Sequence, residues 1–120
     1  MPRAAEPSPE QPVSRAVVLD AHLGTPRPVE RIEIREIRLL AGHAAGLHVH
    51  NGPVVGNIVA GSVIYQIDGQ PAARLEAGDV FYEPEGARIA RFDATEEGAT
   101  FLGYFPLTAA QVPEISLPQD

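Results

Sequence analysis

Apolar and polar positions alternate along this chain in short runs separated by turn-forming residues. In Arg31 to Leu40 (RIEIREIRLL), Ile32 and Ile34 share one face of an extended strand, whereas Ile37 and Leu39 take the other. A change of phase inside one run predicts a bulge or two consecutive strands. The i, i+3 spacing of Ile34 and Ile37 also fits a short amphipathic helix, but the β-branched content favours strand. Gly42 to Gly46 reads as a turn, Leu47 to His50 as a strand, and Asn51-Gly52-Pro53 as a further turn. Strands are predicted at Val54 to Ala60 and Ser62 to Asp68, separated by a turn at Gly61-Ser62. Asp68-Gly69 is a hairpin signal. Ala72 to Glu76, Val80 to Glu83, Ile89 to Asp93 and Thr100 to Phe105 complete the strands, with turns at Ala77-Gly78-Asp79 and Pro84 to Gly86 and a loop at Glu96-Glu97-Gly98. Turn signals recurring every 8–12 residues or so predict an antiparallel sandwich or barrel.

A length of 120 residues suits one domain with a single modest core. Residues 1–28, with Pro2, Pro7, Pro9 and Pro12 among them, predict a disordered or extended tail, and 107–120, with Pro113 and Pro118, an irregular one. The start of the chain lacks the basic and apolar pattern of a secretion signal, and no apolar run is long enough to span a bilayer, so a cytoplasmic protein without a membrane partner is expected. A net charge of −7 with nine scattered arginines argues against nucleic-acid binding. Without cysteine there is no disulfide, thiolate nucleophile or Cys-ligated metal.

His48 and His50, two apart on a predicted strand, point to the same face. They belong to a spaced set, Gly42, His48, His50, Val54 and Gly61. A second set follows: Gly78, Pro84, Gly86, Ile89 and Asp93. In spacing the two sets resemble the paired motifs of the cupin superfamily. Those run Gly, five residues, His-x-His, three or four residues, Glu, six residues, Gly, and then Gly, five residues, Pro-x-Gly, two residues, His, three residues, Asn. The resemblance covers about Val29 to Phe105. It implies an all-β fold, a single cupin barrel (double-stranded β-helix or jelly roll) over 29–106. It also implies a metal site built on His48 and His50, but with Val54 in place of the Glu and Ile89 in place of the third His. Together with the charged-apolar strand Arg31 to Leu40, it implies a homodimer.

Two imidazoles can ligate a divalent ion such as Fe, Mn, Ni or Zn, or serve as general acid and base. They are also readable as a remnant pair satisfied by water or neighbours. Glu83, an acidic residue ending the apolar run Val-Phe-Tyr-Glu, would complete a two-His, one-carboxylate set if it points inward and would be a rim residue if it does not. If His48 and His50 face inward, the register of the family that the chain resembles implies that Val54, Gly56, Ile58 and Ala60 do so too. The second set places Ile89, Arg91 and Asp93 there, unless a bulge turns Arg91 out. Val54, Ile58, Ile89 and Arg91 are therefore the expected pocket residues. Tyr65 and Gln66 lie on opposite faces, as do Tyr82 and Glu83. His43 reads as a loop residue, His22 as incidental and Ser62 as part of a turn. Two functions are consistent with this set. One is a small-molecule enzyme, dioxygenase- or isomerase-like by the resemblance, using His48 and His50. The alternative is a non-catalytic cupin that binds a small molecule or serves as an accessory protein.

Overall fold

The computed structural model of the protein describes residues 12–117. Its strands are β1 (Arg31–Leu39), β2 (Val49–His50), β3 (Val54–Ile67), β4 (Ala73–Glu76), β5 (Val80–Glu83), β6 (Ile89–Leu107) and β7 (Ile115–Ser116), with no helix among the described residues. The main sheet has the order β1-β6-β3-β4, with β5 also pairing β3. A second, small sheet pairs β2 with β7, and every pairing is antiparallel. Of the two predicted tails, residues 1–11 and 118–120 lie outside the described residues. Residues 12–30 carry no helix or strand, and the C-terminal segment returns to form β7.

Several predicted turns are bends inside long strands. Val54 to Ala60 and Ser62 to Asp68 fuse into the 14-residue β3, and Ile89 to Asp93 and Thr100 to Phe105 fuse into the 19-residue β6. Register shifts between Ile58 and Ala60 and between Gly61 and Val63 take up the bend. There Gly61 (φ 72°) faces Gly98 (φ 69°), and a Cβ at Gly61 would lie 2.0 Å from the Gly98 carbonyl oxygen. Both strands can turn this corner together only because neither carries a side chain at the crossing. The predicted turn residue Ser62 is instead fully buried beside this corner, its hydroxyl 2.6 Å from Thr95 Oγ1 and donating to Glu97 Oε1 at 2.8 Å.

β1 corrects a second expectation. Its pairing with β6 is continuous from Arg31↔Leu107 to Leu39↔Ala99, with no bulge and no break into two strands. Arg31, Glu33, Arg35, Ile37 and Leu39 face inward, leaving Ile32 and Ile34 65% and 59% exposed. The apolar phase changes because the inner wall itself turns charged towards one end of the barrel. At the other end Ile58, Val63, Phe81, Phe92 and Phe101 form the core, each of them nearly or fully buried. The rings of Phe81, Phe92 and Phe101 meet edge-on or tilted at centroid distances of 4.9–5.8 Å, and burying each side chain contributes roughly 1.5–3 kcal/mol.

Candidate metal centre

His48 and His50 are held by backbone pairing on both sides of β2. His48 N–H donates to Ile89 O (3.1 Å) and Ile89 N–H donates back to His48 O (2.8 Å). His50 is paired with Ile115 of β7. Asn51 clamps the same returning segment: its side-chain amide donates to Val112 O (2.9 Å), and its Oδ1 accepts from Glu114 N–H (3.0 Å). Both rings enter the interior, with centroids 5.0 Å apart and planes at 85°.

Glu83 points inward and joins them. It ends β5 directly opposite Val54 of β3, the position at which the first motif has its Glu. Neighbouring strands lie about 4.8 Å apart and cross-strand partners share a face, so Glu83 delivers a carboxylate to the same wall from one strand away. Tyr82, its neighbour, takes the other face.

Glu83 Oε2 contacts His50 Nε2 directly and lies 3.9 Å from His48 Nε2. One donor atom from each residue falls within 4.8 Å of the other two. The side chains of His48, His50 and Glu83 are only 8%, 13% and 5% exposed. His48 Nδ1 is 2.7 Å from Gly46 O. A carbonyl only accepts, so Nδ1 carries a proton and Nε2 faces the centre, where it presents a lone pair when the ring is neutral and an N–H toward Glu83 when it is charged. The neighbouring Glu83 carboxylate raises the His48 pKa, aided by the Gly46 carbonyl and opposed by burial. Desolvation pushes the Glu83 carboxyl up, but the hydrogen bonds and charges of His48 and His50 outweigh it, leaving the group below its ordinary range.

A cavity of about 320 Å³ opens from these three groups, walled by Ile37, Leu39, Phe81, Phe92, Phe101 and Phe105. Val54 lines it as expected. Ile58 and Ile89 do not: at 1% and 0% exposure they are core residues packed behind the wall. Arg91 lies on the outer surface, its Nε donating to Asp93 at 3.0 Å. The cause is a bulge. Gln66 pairs with Arg91 but Ile67 pairs with Ile89, so Ala90 is the extra residue and the faces exchange. Ala60 is likewise turned outward by the shift at Val59. Tyr65 points inward against Phe81 and Phe92, its hydroxyl donating to Tyr82 O, and burial raises its pKa. Gln66 faces out to Gln70 O. His43 is exposed, and His22 makes an exposed contact with Asp20 at 3.4 Å.

Sequence reasoning missed Arg35 and Glu114, which also line the cavity. Alternation back from Ile37 and Leu39 would have placed Arg35 inside. Nothing local marks Glu114, because its segment reaches the mouth only through the β2–β7 pairing.

No family model matches the chain, and no curated protein matches it. Solved structures do. A DMSP lyase from Ruegeria pomeroyi aligns with TM-score 0.62 and 21% identity over 74% of this chain and 45% of its own. A cupin-like protein from Thermotoga maritima aligns with TM-score 0.58 and 20% identity, covering 72% of this chain and 65% of that one. The oxalate decarboxylase of Bacillus subtilis, with its Mn(II) centres, aligns with TM-score 0.58 and 28% identity over 68% of this chain and 22% of its own. The chain thus spans under half the length of the lyase and of the decarboxylase.

Proposed function

This chain is a cupin by fold, and from that premise we propose that it is a metal-dependent enzyme acting on a small molecule inside the barrel. His48, His50 and Glu83 would hold the ion. The observation that carries this reading is Glu83, a buried carboxylate in contact with two imidazoles on one wall of an otherwise apolar cavity. Burying charge this way is unfavourable unless it is paired or ligated. The donor set is nitrogen and oxygen without sulfur, in the two-His, one-carboxylate pattern suited to iron or manganese and open to nickel or zinc. The Mn(II) centres of the Bacillus subtilis decarboxylase support the same range.

A divalent ion so held would supply Lewis acidity toward a substrate oxygen. Gly46 fixes His48 with Nε2 inward, Glu83 balances part of the ionic charge, and the phenylalanine walls keep bulk water away. With only three protein ligands, an ion held here would leave room for substrate to bind. A second reading, a non-catalytic ligand-binding cupin, is favoured by Ile89, which puts an apolar side chain where the second motif has its third His.

The test is metal analysis of protein purified without chelator, beside Glu83→Gln and His50→Ala. We expect near-stoichiometric metal in the wild type and loss in both variants. Metal-free wild-type protein that takes up none of the four ions on addition would overturn the reading.

A further inference from the structure

We infer that Arg35 is the anion anchor of this cavity and that the molecule bound there is a small monocarboxylate with an apolar body. The inference rests on the proposed small-molecule site but does not require the metal. Arg35 lines the cavity, and its guanidinium stands over the Phe105 ring, 5.6 Å from the centroid. Its cross-strand neighbour is Gly103, where a Cβ would come within 3.0 Å of that ring. The missing side chain leaves the guanidinium and the ring room beside each other.

Within the trio Arg31, Glu33 and Arg35 the charges do not cancel. Glu33 is the one carboxylate shared by two guanidiniums: Arg31 Nη1 donates to Oε2 at 2.9 Å, and Arg35 Nε and Nη2 both reach Oε1 at 2.7 Å. Hydrogen bonds from Arg31 and then Arg35 hold the Glu33 carboxyl below its ordinary range, so the trio carries one surplus positive charge. Arg31 spends its other donors on Ala109 O and Gln111 O. Arg35 Nη1 has no partner among the described residues, and its side chain is 42% exposed. A guanidinium stacked on a ring with an open donor edge matches the planar fork of a carboxylate.

The remainder of the ligand follows from the walls. Phe81, Phe92, Phe101 and Phe105 offer ring surface and no hydrogen bonds. A volume of about 320 Å³ admits roughly ten non-hydrogen atoms at about 30 Å³ each. Glu114, which also lines the cavity, disfavours a second carboxylate.

Binding of benzoate, phenylacetate and hexanoate, measured by calorimetry and saturation-transfer NMR, tests this, with benzamide as the uncharged comparison. Wild-type protein is to be run both metal-loaded and chelated, beside Arg35→Gln, Arg35→Lys and the control Arg31→Gln, with folding checked by circular dichroism. At least one carboxylate should bind the wild type, and benzamide at least about tenfold more weakly than benzoate. Arg35→Gln should weaken carboxylate binding at least about tenfold, the lower end for a charge-assisted hydrogen bond. Arg35→Lys should fall between, and Arg31→Gln should change binding less than Arg35→Gln. Arg35-dependent binding in protein that takes up no metal sinks the metal reading and leaves this one standing. Metal uptake with binding indifferent to Arg35→Gln, equal affinity for benzamide, or no binding of the three acids at millimolar concentration overturns the inference alone.

Discussion

At one end of the barrel interior, β3, β5 and β6 contribute Ile58, Phe81 and Phe101; a few residues along the same strands they contribute Val54, Glu83 and Phe105, facing His48, His50 and Arg35. The first end is a close-packed set of aromatic and branched side chains, in which any loss of volume is felt directly. The second holds three buried or half-buried polar groups that are tolerable only because each meets another. The difference separates stability from chemistry along a shared scaffold. Core packing at the closed end fixes the strand positions, and those positions let a carboxylate and two imidazoles meet at the open one.

The sharpest way to break this division is at its apolar end. Phe92→Ala should destabilise the fold by about 3–5 kcal/mol, read from denaturant unfolding, while the protein that remains folded keeps its metal stoichiometry. A Phe92→Ala protein that loses metal at full stability would show that the ends are not separable.

At the polar end the consequences should reverse. Glu83→Gln should lower metal affinity at least about a hundredfold, near 2.7 kcal/mol, in competition titrations. Its folding stability without metal should change by only about 1 kcal/mol, because the imidazoles can lose their protons and remain buried as neutral rings. A large stability loss would mean that Glu83 serves packing.

Moving the carboxylate tests the geometry itself. Val54 and Glu83 are cross-strand partners, so the double variant Val54→Glu, Glu83→Val should regain at least about tenfold, or 1.4 kcal/mol, of the metal affinity lost in Glu83→Val alone. No recovery would show that the two positions do not address one centre.

The smallest effect is on pH dependence in chelated protein. His48 is raised above 6.5, so its contribution is complete below 6.5 and fades as pH rises through the raised value. Glu83 is lowered below 4.5, so its contribution is present above 4.5 and fades as pH falls through the lowered value. Thermal stability should therefore peak between these limits, and Glu83→Gln should flatten the peak. A wild-type profile that rises monotonically to pH 8 would contradict the pairing.

Much of this was legible from residue order alone. Most of the strand segments and the shared face of His48 and His50 follow from a period of two, which is a property of the backbone and needs no partner. Two spaced motifs sufficed for the cupin barrel, since their glycines and turns are local requirements. Tertiary structure decided the rest. Whether Glu83 was a rim residue or a site residue depended on the β3–β5 register, which sets it against Val54. Arg91 left the interior and Arg35 held its place there because one residue of bulge at Ala90 inverts a face, while β1 runs without any. Ser62 and Gly61 lie in a bend, not a turn, because Gly98 approaches from β6 to within contact. Glu114 reaches the cavity mouth through two residues of β7 paired with β2. Alternation is written into each strand, but a bulge or a register is a choice between nearly equal local conformations, and only the packing of distant segments makes that choice.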